Sequence, residues 1–229
     1  MVPSEAVMRA GRLAPGMAFI FDMDGTMVDS NDLHSDAWDR YLAQQGVTIP
    51  DMTARMLGKR NDEIVVDFFG SHLAPEEVFQ HGAAKEALYR DMMRPILSER
   101  ILPGLHEFLE RYADVPKGLA TNAERPNVDF VLDEADLRRF FRVIIDGNQV
   151  QRPKPNPEVF LTTATQLGYD PRNCVIFEDS PAGLRAARDS GAWVVGVQSK
   201  HPVEQEADLI IEHFEDPRLE PWLCGLTPR

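Results

Sequence analysis

The stretch Met17-Ala-Phe-Ile-Phe-Asp22-Met-Asp24-Gly25 decides the fold of this chain. Its first five residues are an unbroken apolar run, which is typical of a strand buried on both faces of a parallel sheet. Asp22 and Asp24 are two residues apart, so an extended backbone points both side chains the same way. The stretch therefore predicts a buried strand that delivers two carboxylates at its carboxyl end.

The chain after this strand has two kinds of sequence pattern. Between about residues 33 and 97 the apolar spacing is helical, as in Ala84, Leu88 and Met92, and prolines and glycines divide the segment into three or four helices. After residue 103 short apolar runs alternate with helical segments. Strands are predicted at 118–121, 143–145, 174–177, 193–197 and 208–211, with helices from 105 and over 128–135, 157–167 and 182–189.

Strands that are joined through helices pair in parallel, so the alternating part predicts a doubly wound α/β sheet. A first strand, about 65 helical residues and then the rest of the sheet indicate that a helical domain is inserted after that strand. We place the α/β catalytic core at residues 1–32 and 101–229, with residues 1–16 as a loosely held N-terminal extension. The helical cap domain is placed at residues 33–100.

Composition excludes several classes of protein. The chain has 229 residues and a formal net charge of −13, which argues against nucleic acid or an anionic membrane surface as a partner. Two cysteines, Cys174 and Cys224, are too few for a disulfide scaffold. No apolar run approaches the ~18 residues of a membrane span, and the N-terminus does not resemble a signal peptide. A cytoplasmic location is the expectation.

Polar side chains follow several of the predicted strands. Ligands of open parallel sheets bind beyond the carboxyl ends of the strands, so these side chains are candidates for one site. Four carboxylates at one edge repel one another unless a cation neutralises them, and oxygen ligands favour Mg²⁺. The candidates at strand ends and in the loop before the helix at 157 are Asp22, Asp24, Thr121, Asn122, Lys154, Glu178 and Asp179.

Such a set can transfer a phosphoryl group. One carboxylate can attack phosphorus and form an aspartyl-phosphate, while its neighbour acts as an acid, because adjacent like charges push their pKa values apart. Lys154 and the Thr121 hydroxyl would meet charge on the phosphoryl oxygens. Taken singly, each residue also has a structural explanation, such as a turn at Asp24-Gly25 or acids before a helix at Glu178-Asp179.

Four segments together resemble the four motifs of the haloacid dehalogenase superfamily, in their order. They are Phe21–Ser30, Leu119–Asn122, Arg152–Glu158 and Phe177–Gly183. Their spacing is similar to that of the branch that includes β-phosphoglucomutase and small sugar-phosphate phosphatases. The resemblance implies a Rossmann-like core with an all-helical cap. Dehalogenation is not expected, because the dehalogenating branch lacks the second aspartate, here Asp24.

The resemblance also implies roles for the core residues. Asp22 would be the nucleophile and a metal ligand, and Asp24 the general acid/base, with its backbone carbonyl on the metal. Thr121 would bind the phosphoryl group, and Lys154 would pair with it and with Asp22. The remaining Mg²⁺ ligands would be Glu178 and Asp179.

Substrate-binding residues are expected mainly in the cap. His34 lies in a His-x-x-Ala-Trp stretch that resembles the sugar-phosphate members, although a solvent-facing helix start is an equal alternative. Lys59 and Arg60, after Leu57-Gly58, resemble a specificity loop, again with an ordinary helix start as the alternative. Asn122 completes the predicted substrate-binding set.

Two positions depart from the mutase pattern. The mutase has an arginine where this chain has Asn61, and a serine and a lysine where it has Ala123-Glu124. Two cations that would grip the second phosphate of a bisphosphate are therefore missing, unless Lys59, Arg60 or Arg125 compensates. This departure lowers the expectation of mutase activity.

The leading hypothesis is a Mg²⁺-dependent phosphatase that acts on small phosphorylated metabolites, with sugar phosphates favoured, through an aspartyl-phosphate. The alternatives are a hexose-phosphate mutase and a non-catalytic phosphate-binding protein. We expect a small phosphorylated metabolite as the partner, no nucleic acid and no membrane. The expected state is a monomer or weak homo-oligomer, in which the tail 217–229 packs on the core or on a partner.

Overall fold

The computed structural model describes residues 13–56, 59–198 and 206–229, and its centre is one parallel sheet of six strands. The strand order is β3-β2-β1-β4-β5-β6, so the chain winds outward in both directions from β1. This topology confirms the predicted doubly wound α/β class. The strands are β1 (Ala18–Phe21), β2 (Lys117–Ala120), β3 (Val143–Ile145), β4 (Cys174–Glu178), β5 (Trp193–Val197) and β6 (Leu209–Ile211).

Helices occupy the long connection after β1 and cover both faces of the sheet. Five of them lie between β1 and residue 101, in the segment for which the sequence predicted three or four. The helices are α1 (Asn31–Gln44), α2 (Met52–Met56), α3 (Asn61–Phe69), α4 (Pro75–Met93), α5 (Leu97–Arg100), α6 (Leu105–Arg111), α7 (Arg125–Glu134), α8 (Glu158–Leu167), α9 (Pro181–Asp189) and α10 (Leu219–Cys224).

Strand β1 is buried on both faces, as its unbroken apolar run predicts. Phe19 and Phe21 point into one hydrophobic core, whereas Ala18 and Ile20 point into a second core on the opposite face. The ring of Phe21 stacks on that of Phe177 in β4, with centroids 4.6 Å apart. Two well-packed faces fix the register of β1 against its neighbours, and with it the position of the residues that follow the strand.

The cap helices have a hydrophobic core of their own, which includes Trp38 and Phe68. Helix α4 departs from the expected apolar face, because Ala84 is exposed. Its buried positions include the charged residues Lys85 and Glu86. The reason is that Lys85 and Glu86 line the cavity between cap and core, where Lys85 donates to His34 and Glu86 accepts from Asn127.

The chain enters and leaves the cap at one place. Val28 and Ile101 form an antiparallel bridge, and the amide of Asp29 donates to the carbonyl of Arg100 at 2.8 Å. The Arg100 guanidinium also pairs with Asp32, at 3.1 Å. These contacts hold the two connections side by side, and we refer to Val28, Asp29, Arg100 and Ile101 as the paired crossing.

The C-terminal tail packs on the core. Leu219, Leu223 and Leu226 are buried in the same hydrophobic core as Phe19. Leu13 is buried there too, while residues 1–12 of the predicted N-terminal extension lie outside the described residues. Among the described residues, no helix is long and apolar enough to cross a membrane.

Candidate active site

One cavity of about 780 Å³ lies between the carboxyl ends of the strands and the cap. Residues from the core form its floor, and residues from α1 to α4 line its cap side. All ten residues that the sequence proposed as catalytic, metal-binding or substrate-binding line it: Asp22, Asp24, His34, Lys59, Arg60, Thr121, Asn122, Lys154, Glu178 and Asp179.

Lys154 joins the carboxylates that follow β1 and β4. Its ammonium donates to Asp22 Oδ1 at 2.6 Å, to Glu178 Oε2 at 2.8 Å and to the backbone carbonyl of Ala120 at 3.1 Å. All three charged side chains are buried. The other oxygen of Glu178 accepts from the amide and the hydroxyl of Ser180. Glu178 is therefore fixed in one orientation by contacts on both oxygens.

Asp179 is the third buried carboxylate on the cavity floor. Asn31 donates to its Oδ2 at 3.1 Å, and the Thr26 hydroxyl donates to its Oδ1 at 3.3 Å. Gly25 makes this approach possible, because it adopts φ +81° and a Cβ there would lie 2.0 Å from Asp179 Oδ2. Thr26 and Asn31 were not among the predicted site residues, although they follow Asp24 by two and by seven residues.

Three carboxylates are close enough together to bind one cation. One oxygen from each of Asp22, Glu178 and Asp179 lies within 4.8 Å of the others. Burial raises the pKa of Asp22 well above its usual value, and the negative charge of Glu178 and then that of Asp179 raise it further, against the opposing effect of Lys154. A cation held by the three carboxylates would favour the ionised form of Asp22.

Asp24 lies in a different environment from Asp22. Its Oδ1 accepts from the Ser30 hydroxyl at 2.7 Å and faces His34 Nε2 at 3.4 Å. Burial alone would raise the pKa of Asp24, but His34, Ser30 and Lys85 together hold it below its usual value. The Asp24 side chain is thus directed at α1 and α4 of the cap and not into the three-carboxylate cluster.

His34 is oriented by a buried pair on α4. Lys85 donates to His34 Nδ1 at 2.8 Å, and because a lysine has only donors, the ring proton is on Nε2, facing Asp24. The His34 ring stacks on Tyr89, with centroids 3.8 Å apart. Lys85 also pairs with Glu86 at 2.9 Å. Sequence reasoning missed Lys85 and Glu86, because charged residues in a helix ordinarily face solvent.

Thr121 and Asn122 follow β2 directly. The Thr121 hydroxyl accepts from the amide of Ala123 at 3.0 Å, and Asn122 Oδ1 accepts from the amide of Lys154 at 3.3 Å. Gly147 allows this loop to lie close, since a Cβ there would be 2.3 Å from the Asn122 carbonyl oxygen. Asn122 therefore ties the β2 loop to the loop that carries Lys154.

The two cations of the predicted specificity loop are already paired within the cap. Lys59 donates to Asp67 Oδ2 at 3.0 Å, and Arg60 lies 3.4 Å from Asp62 Oδ1. Leu57 and Gly58, which precede them, are outside the described residues. Lys59 and Arg60 line the cavity, and each already pairs with a neighbouring acid, although Asp67 is shared with Arg55.

Comparison with known proteins agrees with this geometry. The model of the haloacid dehalogenase-like hydrolases matches residues 17–191, which is more than half of the chain. Validoxylamine A 7'-phosphate phosphatase of Streptomyces hygroscopicus subsp. limoneus is 30% identical over 205 residues, or 87% of this chain and 94% of that protein. β-Phosphoglucomutase of Bacillus subtilis is 29% identical over 215 residues, or 89% of this chain and 92% of that protein.

Solved structures have the same architecture. The crystal structure of β-phosphoglucomutase from Clostridium difficile superposes with a TM-score of 0.79 at 25% identity, over 91% of this chain and 97% of that chain. The likeness extends over the sheet and the helical cap together. The chain belongs to the haloacid dehalogenase-like hydrolases, with the Rossmann-like core and helical cap that the four motifs implied.

Proposed function

We propose that this protein is a Mg²⁺-dependent phosphatase of small phosphorylated metabolites, with sugar phosphates as the favoured class. The observation that carries the proposal is the buried arrangement of Lys154 between Asp22 and Glu178, next to Asp179. Buried groups of this kind rarely serve stability alone, because the desolvation of charges offsets much of their attraction.

The three-carboxylate cluster fits Mg²⁺. Mg²⁺ prefers hard oxygen ligands, which Asp22, Glu178 and Asp179 supply, and the backbone carbonyl of Asp24 is a proposed fourth protein ligand. The raised pKa of Asp22 indicates a site that is short of positive charge. A bound Mg²⁺ would supply that charge and polarise the phosphoryl oxygens.

In the first step, a carboxylate oxygen of Asp22 attacks phosphorus, and the bond from phosphorus to the ester oxygen breaks. Lys154 and the Thr121 hydroxyl stabilise the charge on the transferring group. Asp24 donates its proton to the departing oxygen, so the alcohol leaves neutral. The lowered pKa of Asp24 means that it is protonated only in a small fraction of the enzyme at neutral pH.

In the second step, water attacks phosphorus of the Asp22 acyl phosphate, the bond from phosphorus to the Asp22 oxygen breaks, and Asp24 removes a proton from that water. Inorganic phosphate leaves and the Asp22 carboxylate is restored. The ionised form of Asp24, which Ser30 and His34 stabilise, is the form that this step requires. The hydrogen bond from His34 thus favours the base over the acid.

The substrate class rests on the cavity and on the relatives. The cavity lies between the cap and the core and has a volume of about 780 Å³, which suits a metabolite-sized ligand better than a macromolecule. A net charge of −13 disfavours extended anionic partners, while a small phosphate can be met by Lys154 and the metal. Relatives include a validoxylamine A 7'-phosphate phosphatase and a β-phosphoglucomutase.

Phosphate release from a panel of sugar and polyol phosphates, with Mg²⁺ and with a chelator, tests the proposal. We expect hydrolysis that needs the metal, and a loss of at least about 10³-fold in kcat for Asp22→Asn. Absence of phosphate release from every ester, or an Asp22→Asn variant with wild-type activity, would falsify it. Far-ultraviolet circular dichroism of the variant excludes unfolding as the cause of any loss.

The β-phosphoglucomutase relatives favour a second candidate, a hexose-phosphate mutase. A sugar 1-phosphate supplied with a catalytic amount of the 1,6-bisphosphate separates the two. Accumulation of the 6-phosphate would support the mutase, whereas free phosphate would support the phosphatase.

A further inference from the structure

We infer that the side of the cavity where α3 of the cap meets the start of α7 selects esters with a single phosphoryl group. Its preferred leaving groups present hydroxyl or ammonium donors, and it rejects a second phosphate. This inference rests on the proposed phosphatase function and specifies its substrate class. It concerns Asn61 and Glu124, which both line the cavity.

Asn61 and Glu124 bridge the cap and the core. Asn61 begins α3, and its Nδ2 donates to Glu124 Oε1 at 3.0 Å. Since a carboxylate only accepts, this contact also fixes which end of the amide is the donor. Glu124 occupies the cap position of α7, yet its side chain accepts no hydrogen bond from that helix. Helix capping therefore does not account for the Glu124 carboxylate.

The pair offers more acceptors than donors. Asn61 uses its amide nitrogen on Glu124, and its Oδ1 is buried without a hydrogen-bond partner. A carboxylate oxygen and an amide oxygen favour a ligand that donates, such as a hydroxyl or an ammonium group. A phosphate dianion has only acceptors and would meet Glu124 as a like charge.

Nearby cations do not offset Glu124. Lys59 is paired with Asp67 at 3.0 Å, and Arg60 with Asp62 at 3.4 Å. Arg125, next to Glu124 in the chain, turns away to Asp129, at 2.9 Å. The three residues that could have replaced the missing cations of the mutase pattern are thus each engaged by another acid.

The net charge of the cavity lining also disfavours a second phosphate. Its described lining carries eight carboxylate side chains against four lysines and arginines. Each of those four lies within 4 Å of a carboxylate. One phosphoryl group is met by Lys154 and the proposed metal, but no described cation of the lining is left for a second.

Three matched compounds test the inference: a hexose 6-phosphate, its 2-amino-2-deoxy analogue and the hexose 1,6-bisphosphate. For the wild-type protein with Mg²⁺, we expect kcat/KM for the bisphosphate to be at least about tenfold below that for the 6-phosphate. The amino analogue should be hydrolysed at least as well as the parent. Glu124→Lys should raise the bisphosphate-to-monophosphate ratio at least about tenfold.

Glu124→Gln, which keeps the size of the side chain, should raise the bisphosphate-to-monophosphate ratio by a smaller factor. This variant tests the inference if Glu124→Lys does not fold. Asp133→Lys makes the same charge change on the exposed side of α7 and should leave the ratio unchanged. A wild-type protein that prefers the bisphosphate, or an equal shift from Asp133→Lys, overturns the inference.

If no ester is hydrolysed, the proposed phosphatase function fails by itself. The selectivity is then read from calorimetric titration of the same three compounds in the presence of Mg²⁺. Tighter binding of the bisphosphate than of the monophosphate would overturn the inference in that case, and weaker binding would support it.

Discussion

Lys154 separates two buried carboxylates, Asp22 and Glu178, that would otherwise repel each other. Lys154→Met leaves both without their cation, and we expect a loss of about 3 kcal/mol in the free energy of unfolding. Urea unfolding in the presence of a chelator measures this loss. Lys59→Met is the control, because the Lys59–Asp67 pair is half-exposed and screened by water, so its loss should cost much less. Equal stabilities of the two variants would contradict the prediction.

Gly183, in the first turn of α9, lets that helix lie against Glu178. A Cβ at Gly183 would lie 2.0 Å from Glu178 Cδ, so Gly183→Ala must displace this carboxylate from Lys154 and from the proposed metal. We expect kcat/KM to fall by about 10- to 100-fold, as for changes in groups that orient metal ligands, with a higher Mg²⁺ requirement. Gly225→Ala, where the nearest atom would be 3.4 Å away, should leave activity unaffected.

Sequence and structure agree best for residues that follow strands. The apolar runs of β1 and β4 and the acids at their carboxyl ends were enough to predict that Asp22, Glu178 and Asp179 converge. The reason is that parallel strands end at one edge of the sheet. Lys85 could not be predicted in the same way. Its burial depends on His34, which lies on another helix, and helical periodicity carries no information about that contact.

Helix α7 connects the core to cap helix α4 through Asn127. This buried side chain donates to Glu86 Oε2 and accepts from Arg90, both at 2.7 Å. Asn127→Ala leaves a buried carboxylate oxygen without its donor, so we expect a loss of about 2 kcal/mol in stability. Thermal and urea unfolding measure it, and Asp129→Asn on the same helix should cost less than about 1 kcal/mol. A larger effect from Asp129→Asn would contradict this role of Asn127.

Glu86 makes the stability of this junction depend on pH. Burial alone would raise its pKa, but Lys85, His34 and Asn127 together lower it below 4.5. Since the folded pKa is depressed, Glu86 stabilises the fold above the unfolded value, and this contribution is lost as pH falls through the folded pKa. Glu86→Gln should therefore flatten the dependence of unfolding free energy on pH below about 4.5. Glu76→Gln, on the exposed part of α4, should not.

The boundaries of the elements were harder to predict than their order. Helix α7 begins at Arg125, three residues before the predicted start, because Pro126 is accepted in the first turn of a helix, where its missing N–H costs nothing. The division into a core of 1–32 and 101–229 and a cap of 33–100 stays a proposal. The paired crossing supports it, since both connections lie there.

The whole molecule should be stabilised by the metal that its site fits. A ligand that binds only the folded state at ten times its dissociation constant adds about 1.4 kcal/mol. For a chain of this size we expect a rise in Tm of about 3–6 °C. Scanning fluorimetry with and without Mg²⁺ measures it, and Asp179→Asn should reduce the shift. An equal shift in Asp179→Asn would mean that Mg²⁺ acts elsewhere on this acidic protein.

The paired crossing has a consequence for how such proteins can be rebuilt. Because Val28 and Ile101 are bridged, the chain leaves the core and returns to it at a single point, where the cap is inserted. The entropic cost of closing the chain at that point grows only slowly with the length of what is inserted. A cap from a relative could be exchanged as a cassette between Asp29 and Arg100 without straining β1. The chemistry of the floor and the part of leaving-group selection that the cap contributes, as at Asn61, are then separately inheritable traits.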